Sequence, residues 1–205
     1  MKKYFSILLL LNLSYSYAIC QSKKQLYEVS IIKMNGDTIK GKMRAINPEA
    51  TFSTYEKFWI NNKKVKYHPS DIRSFSSQGF RFESVKLKRI PNITFKDVVF
   101  VKRIIDGLMI LYIIEDNKVA IGLNNLKTKC VVYYYIRKQS DNSALLAYKE
   151  KCPTDLISVI SQPSNYKEFC NYFSDNPSVK KKIENKEFRR KDIYDIVNEY
   201  NRMAK

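Results

Sequence analysis

The chain has 205 residues and is strongly basic, with 37 Lys and Arg against 20 Asp and Glu and a formal net charge of +17. A hydrophobic fraction of 44%, with only 5 Gly and 6 Pro, argues for a packed protein and excludes a disordered or low-complexity chain. The single histidine excludes most general-base and metal sites that depend on imidazole.

The first twenty residues have the pattern of an export signal. Lys2 and Lys3 precede an apolar run from Phe5 to Leu13, and small residues follow it. The run is shorter than the ~17 to 25 residues that a membrane-spanning helix needs. We therefore predict cleavage after Ala18 or after Cys20, and a mature chain without a transmembrane span that acts in the periplasm, at the outer-membrane surface or as a secreted protein.

A β-hairpin is predicted directly after the leader. Residues from Tyr27 to Ile32 alternate, Asn35-Gly36-Asp37 has turn chemistry, and Thr38 to Ile46 returns in the opposite direction. Gly41, in the middle of the second strand, marks a bulge or a place where another backbone or an aromatic side chain lies close. The polar face of this strand carries three cations, Lys40, Lys42 and Arg44.

Short strands separated by turns continue to about residue 140. Leu108 to Ile114 is a continuous apolar run, typical of a central strand that is buried on both faces. We expect Asp116-Asn117 to turn the chain into a strand from Val119 to Leu123. About nine or ten such strands predict an antiparallel meander, barrel or sandwich.

Near residue 140 the hydrophobic period changes from two to 3.6. Two amphipathic stripes follow, Tyr166, Phe169, Cys170 and Phe173 and then Ile193, Ile196, Val197 and Tyr200. Asn176-Pro177 predicts a capped helix between them, and we expect further helices over Ala144 to Tyr148 and Leu156 to Ile160. The predicted fold class is α+β, with a leader at 1–20, a basic β-rich body at 21–140 and a helical tail of short helices at 141–205.

Two cysteines of the tail are candidates for a disulfide. If their helices form an antiparallel hairpin, Cys152 and Cys170 come within about a turn of each other. A bridge between them and a buried free thiol at each position are both open. No CxxC pair or histidine cluster accompanies them, so their spacing is not that of a metal site.

The sequence contains no catalytic, metal-binding or nucleotide-binding motif, so we expect neither catalytic residues nor a cofactor. His68 precedes Pro-Ser-Asp, which is ordinary turn chemistry and not a catalytic triad. One enzymatic alternative remains, a hydrolase with two carboxylates. It would pair Asp71 with Glu83 or Asp97 at a separation of about 5 to 9.5 Å in a cleft.

The positive charge is concentrated in the β-rich part. Gln21 to Ser140 holds 23 basic residues against 10 acidic ones, whereas Asp141 to Lys205 holds 12 against 10. Cations interleaved with aromatic residues on neighbouring strands favour a surface that binds anions. The candidate ligand-binding residues are Lys40, Lys42, Arg44, Lys64, Lys66, Trp59 and Tyr67. The alternative is a solvated strand face whose aromatic side chains turn inward.

Several short motifs follow one another in a distinctive order. They are Asn35 to Gly41, Tyr67 to Ile72, Asp106-Gly107 with Leu111-Tyr112, Cys152-Pro153, and Ile196 to Asn201. With the leader, this order resembles a family of small, uncharacterised exported proteins of Gram-negative bacteria. The resemblance covers most of the mature chain. It implies a β-rich body with a helical tail outside the cytoplasm, and it brings no catalytic residues with it.

Together these observations predict an exported, non-enzymatic protein that binds through its β-rich body. The expected partner is an anionic glycan or lipid of the envelope, or an envelope protein, and we do not expect nucleic acid. A second hypothesis is a structural or assembly component of the envelope that docks through its helical tail. The third is the carboxylate-based hydrolase of envelope polymers.

Overall fold

A computed structural model describes residues 25–46, 52–88, 98–122, 125–151 and 166–203. The expected leader at 1–20, the expected helix from Leu156 to Ile160, and the residues Asp97 and Cys152 lie outside the described residues. Within the described ranges the chain is mostly β-sheet, followed by short helices at its C-terminal end. No helix in these ranges is long and apolar enough to cross a membrane.

The described residues form eleven strands and three α-helices. The strands are β1 (Leu26–Lys33), β2 (Thr38–Arg44), β3 (Phe52–Ser53), β4 (Glu56–Ile60), β5 (Lys63–Tyr67), β6 (Ile72–Ser77), β7 (Phe80–Lys88), β8 (Val98–Ile105), β9 (Met109–Gly122), β10 (Asn125–Lys138) and β11 (Ser143–Lys151). The helices are α1 (Tyr166–Asn171), α2 (Pro177–Glu184) and α3 (Ile193–Met203), with one 3-10 turn at Arg190–Asp192.

All eleven strands belong to one sheet, in the order β3-β8-β9-β10-β11-β7-β6-β1-β2-β4-β5. Because β7 also pairs with β8, the strands β7 to β11 close into a five-stranded ring. The closing pair, β7 with β11, is parallel, and the other described pairs are antiparallel. The strands β6, β1, β2, β4 and β5 extend from this ring, and we call them the N-terminal sheet.

The interior of the five-stranded ring is an apolar core. It contains Val85, Leu87, Val99, Val101, Ile110, Tyr112, Ile114, Tyr133, Tyr135 and Ala144. Because side chains alternate along a strand, Leu111 and Ile113 of β9 point outward, where the helices cover them. Met109 to Ile114 are all buried, which confirms a strand buried on both faces, but Leu108, the first residue of the predicted run, precedes the strand and is exposed.

A second core lies under the N-terminal sheet and is mainly aromatic. The Phe75 ring stacks on Phe82 with centroids 5.1 Å apart and meets Phe58 and Phe100 edge-on, each at 5.3 Å. Val29, Ile31 and Met43 complete it from β1 and β2. This core occupies one face of β1, β2 and β4, so their opposite face points to solvent.

The predicted first hairpin is confirmed. β1 and β2 pair from Leu26 with Arg44 to Ile32 with Thr38, and Gly36 in the turn has φ +94°. The β4–β5 hairpin turns through Asn61 and Asn62, which have φ +49° and +61°. Asparagine tolerates this left-handed conformation better than most residues, which explains two of them in succession.

The predicted helix from Ala144 to Tyr148 is wrong, because these residues lie in β11 and pair with β10. Ala144 points into the ring, whereas Ala147 and Tyr148 pack against the helices. A short apolar run does not distinguish a buried helix from a strand buried on both faces. The sheet therefore extends through Lys151, beyond residue 140.

The predicted turn at Asp116-Asn117 is also wrong. β9 runs through both residues to Gly122, in unbroken register with β10 from Asn125. Asp116 pairs with Val131, and Asn117 pairs with Cys130. Two turn-forming residues did not end this strand, because pairing with β10 supplies hydrogen bonds along its whole length.

The helices form a layer on the outer face of β9, β10 and β11. Of the two predicted stripes, the second is buried there entirely and the first through Phe169, Cys170 and Phe173, whereas Tyr166 is exposed. The Asn176 side chain caps α2 by accepting a hydrogen bond of 3.1 Å from the Val179 amide, as predicted. The tail therefore buries its apolar side on the ring.

Asn201 of α3 holds the turn between β8 and β9. Its side-chain oxygen accepts from the Met109 amide at 2.8 Å, and its side-chain nitrogen donates to the Met109 carbonyl at 2.9 Å. Gly107, with φ +152°, makes this contact possible, because a Cβ there would lie 2.4 Å from the Asn201 Cγ. Two motifs of the sequence resemblance, Asp106-Gly107 and Ile196 to Asn201, thus meet in space.

Cys170, one of the two cysteines considered for a disulfide, has a buried free thiol on the inner side of α1. Its neighbours in the helical core include Phe169 and Phe173. Cys152, the other member of that pair, lies outside the described residues.

Candidate functional site

A row of paired residues crosses the solvent-facing side of the N-terminal sheet. Lys42 of β2 pairs with Glu28 of β1 and with Trp59 of β4, and Trp59 pairs with Lys64 of β5. Paired residues of antiparallel strands point to the same side of a sheet, so these four side chains are neighbours. We define the cationic face as Lys40, Lys42, Arg44, Lys57, Trp59, Lys64 and Lys66.

Two aromatic rings of this surface each lie between two cations. The Arg44 guanidinium is 6.0 Å and the Lys64 ammonium 5.5 Å from the centre of the Trp59 ring. The Tyr55 ring, at the border of the face, has Lys66 at 3.9 Å and Lys57 at 5.6 Å. Such contacts stabilise exposed cations by about 0.5 to 1 kcal/mol each and hold the side chains near the rings.

The structure brings six of the seven candidate ligand-binding residues to this one face. Tyr67 is the exception, because it lies on the opposite side of β5 with its ring 5.9 Å from the buried Phe58 ring. Sequence reasoning missed Lys57, which shares the parity of Trp59 on β4 and pairs with Lys66. The alternation of β4 was the signal that could have identified it.

A cleft opens at the edge of the cationic face, where β2 and β4 separate. The two strands pair only through Lys42 with Trp59 and Met43 with Phe58, and the chain then leaves β2 after Arg44. The resulting cleft has a volume of about 500 Å³. Its described lining comprises Met43, Arg44, Ala45, Ile46, Ser53, Tyr55, Glu56, Lys57, Trp59, Lys64, Phe75 and Phe82.

Gly41 allows β4 to approach β2 beside this cleft. A Cβ at this position would lie 2.9 Å from the Trp59 carbonyl oxygen and 3.2 Å from Cγ1 of Ile60. A backbone oxygen cannot move away as a flexible side chain can, so a larger residue would push the strands apart. This confirms the close approach that the mid-strand glycine predicted, and it places the backbone of Trp59 directly beside Gly41.

Glu56 is the one carboxylate among the described residues that line the cleft. Burial raises the pKa of Glu56, although the hydrogen bond with Ser53 and the positive charge of Lys57 act in the opposite direction. The other acid near this surface, Glu28, lies 3.6 Å from Lys42 with both side chains largely exposed. An exposed pair of this kind contributes little to stability and leaves the lysine accessible.

The carboxylates suggested for a hydrolase have structural partners. The Asp71 carboxylate accepts from the His68 amide at 2.7 Å and closes the turn before β6. Glu83 lies inside the ring, where it accepts a 2.5 Å hydrogen bond from the Tyr112 hydroxyl. Arg103 and Arg137 also bind its carboxylate.

The environment of Glu83 keeps it ionised. Burial alone would raise its pKa, but the hydrogen bond from Tyr112 and the charges of Arg103 and Arg137 outweigh burial, so the pKa of Glu83 lies below its usual range. Burial and the neighbouring Glu83 charge in turn raise the pKa of Tyr112, which stays protonated and donates. Within the described ranges, no group of three or more His, Cys, Asp or Glu side chains could hold a metal ion.

Comparison with known proteins returned no match. No protein-family model matches the chain, and neither a curated protein nor a solved structure does. A function therefore has to be inferred from the residues of the site themselves.

Proposed function

We propose that this protein is an exported, non-enzymatic binding protein that holds an anionic component of the cell envelope on its cationic face. The position of Trp59 between Arg44 and Lys64, at the entrance of a cleft, carries the proposal. Among the described residues, no carboxylate lies within ion-pair distance of Arg44 or Lys64. Both side chains are exposed, so a partner in solution can reach them.

The charge distribution supports association with an anion. The excess of basic over acidic residues between Gln21 and Ser140 concentrates anionic partners around the sheet. Trp59 and Tyr55 add flat apolar surface beside the cations, which suits a partner that has both charge and a sugar ring or hydrocarbon. Binding of this kind should weaken as salt is added.

The packing of the tail supports the cationic face over the tail as the binding surface. Most apolar side chains of the tail, among them Phe173, Ile193 and Ile196, are buried against the ring. They are engaged within the molecule and are not offered to a partner. A docking role for the tail would have to use its polar side chains or the three exposed apolar ones among its described residues, Tyr166, Tyr194 and Met203.

Charge reversal on the face tests the proposal. Lys40→Glu, Lys42→Glu and Arg44→Glu together should weaken retention on heparin and binding to lipopolysaccharide by roughly tenfold or more, because three cations become anions at one site. The matched control changes three exposed cations of the tail, Lys167→Glu, Lys181→Glu and Lys191→Glu, and gives the same net charge. Equal losses in both variants, or no loss in the first, would contradict the proposal.

A further inference from the structure

The cleft beside Trp59 differs chemically from the face around it. Its floor consists of Met43, Phe75 and Phe82, all of which belong to the aromatic core of the N-terminal sheet. Ile46 adds an apolar wall where the chain leaves β2. A partner that used only charge would have no contact with these side chains.

The entrance of the cleft is cationic and aromatic. Arg44, Lys57 and Lys64 stand at its edge; the Trp59 ring lies between Arg44 and Lys64, and the Tyr55 ring lies beside Lys57. An apolar interior below a positively charged entrance is complementary to a molecule with a hydrocarbon part and an anionic head. The volume of about 500 Å³ falls in the range of small-molecule pockets.

We infer that this cleft binds an anionic amphiphile, with its hydrocarbon chain on Met43, Phe75 and Phe82 and its phosphate or carboxylate between Arg44 and Lys64. The inference rests on the proposed function and names the ligand class for one part of the cationic face. Hydrophilic polyanions such as heparin bind the open face, whereas an amphiphile also fills the cleft.

Glu56 restricts where the anionic head can lie. Its carboxylate lines the same cleft, and Lys57 follows it directly in the sequence. Repulsion between like charges directs the head away from Glu56 and toward the cations that flank Trp59. The cleft therefore has a polarity that fixes the orientation of its ligand.

Trp59 provides a direct reporter, because it is the only tryptophan of the chain. Its fluorescence is recorded while the full-length protein is titrated with dodecyl phosphate below its micelle concentration. We expect a saturable blue shift, since hydrocarbon replaces water beside the indole ring. Glycerol phosphate, which has the head without the chain, and dodecyl maltoside, which has the chain without the charge, should each bind at least roughly tenfold more weakly.

A chain-length series on the unaltered protein avoids any effect of substitution on folding. From octyl to decyl to dodecyl phosphate, affinity should rise by roughly tenfold for each added pair of methylenes, because each methylene buried is favourable. Affinity that does not depend on chain length would overturn the inference. So would a spectrum of Trp59 that does not change.

One substitution distinguishes binding in the cleft from binding on the cationic face. Ile46→Thr keeps a branched side chain at a half-buried position but makes the wall polar, and it should weaken dodecyl phosphate binding about fivefold while heparin retention stays unchanged. If heparin retention depends on the face but dodecyl phosphate does not bind, the inference fails and the proposed function stands. If Lys40→Glu, Lys42→Glu and Arg44→Glu together weaken the binding of neither heparin nor dodecyl phosphate, both the inference and the proposed function are contradicted.

Discussion

Cations have different neighbours on the N-terminal sheet and inside the five-stranded ring. On the cationic face, Arg44 and Lys64 lie beside the Trp59 ring, and their charge points to solvent. Inside the ring, Arg103 and Arg137 bind the carboxylate of Glu83 instead. Basic residues thus form an exposed surface on the N-terminal sheet and buried ion pairs inside the ring.

The tail repeats the arrangement of the ring. Lys138, at the end of β10, binds Asp175 at 2.8 Å, and Lys182 of α2 binds Glu199 of α3 at 2.7 Å. A basic composition therefore does not by itself mark a binding surface. Arg137, Lys138 and Lys182 also lie near aromatic rings, but each binds a carboxylate as well, and these ion pairs hold the fold together. Arg44 and Lys64 contact a ring and have no carboxylate partner among the described residues.

The largest effect should come from the buried cluster of the ring. Glu83→Gln removes the only negative charge that Arg103 and Arg137 are shown to share, and it should lower the free energy of unfolding by about 3 to 5 kcal/mol in urea. Glu28→Gln, on the exposed face, is the control and should cost less than about 0.5 kcal/mol. Equal losses of stability in Glu83→Gln and Glu28→Gln would contradict the distinction between buried ion pairs in the ring and exposed ones on the N-terminal sheet.

The pH dependence of stability tests the same cluster. The folded-state pKa of Glu83 is lower than in the unfolded chain, so its contribution is complete above the unfolded pKa of about 4.3 and is lost as the pH falls toward the folded value. The unaltered protein should therefore lose more stability than Glu83→Gln between neutral and acidic pH, measured by urea unfolding at several pH values. Parallel pH profiles would contradict this.

The contact of the tail with the ring should have a smaller effect. Asn201→Ala removes the hydrogen bonds to both backbone groups of Met109, and we expect a loss of about 1 to 3 kcal/mol in thermal or urea unfolding. Asn198→Ala, at an exposed position of the same helix, is the control and should change stability little. An equal effect of both would mean that the helix as a whole, and not this contact, is responsible.

On the cationic face, Gly41→Ala should separate β2 from β4 at the entrance of the cleft. The new Cβ would meet the Trp59 carbonyl oxygen, so we expect a loss of about 1 to 2 kcal/mol and a changed emission of Trp59. Lys40→Ala, one residue earlier and exposed, should leave the emission unchanged. Unaltered emission in the glycine variant would show that Gly41 does not position Trp59.

The smallest predicted effect concerns Glu56. Glu56→Gln removes the negative charge of the cleft and should tighten the binding of dodecyl phosphate by about twofold to threefold, equivalent to ~0.5 kcal/mol, without loss of heparin retention. The matched change Glu28→Gln lies outside the cleft and should not tighten dodecyl phosphate binding. Weaker binding to Glu56→Gln would mean that its carboxylate contacts the ligand favourably.

Local pattern predicted much of the fold. The turn residues Asn35 to Asp37, the cap at Asn176 and the stripe from Ile193 to Tyr200 each act through neighbours in the sequence, so they could be read there. Ala144 to Tyr148 was misread because its strand character comes from pairing with β10. The closure of the ring through β7 and β11 joins residues far apart in the chain, and no local pattern encodes it.

The candidate site could likewise be predicted from the sequence only where it depends on local pattern. The cationic stripe from Lys40 to Arg44 follows from alternation along one strand. Tyr67 could have been excluded by the same rule, because it alternates with Lys64 and Lys66. The cleft could not be predicted, since it depends on where β2 and β4 part and on the aromatic core beneath them.

The contact of Asn201 with Met109 affects when the turn between β8 and β9 can finish folding. Asn201 lies 92 residues after Met109 in the sequence, yet its side chain hydrogen-bonds to both backbone groups of Met109 at the start of β9. The chain must therefore be synthesised at least through Asn201 before that turn gains these contacts. A change that removes the Asn201 side chain would therefore disturb the start of β9, 92 residues earlier in the sequence.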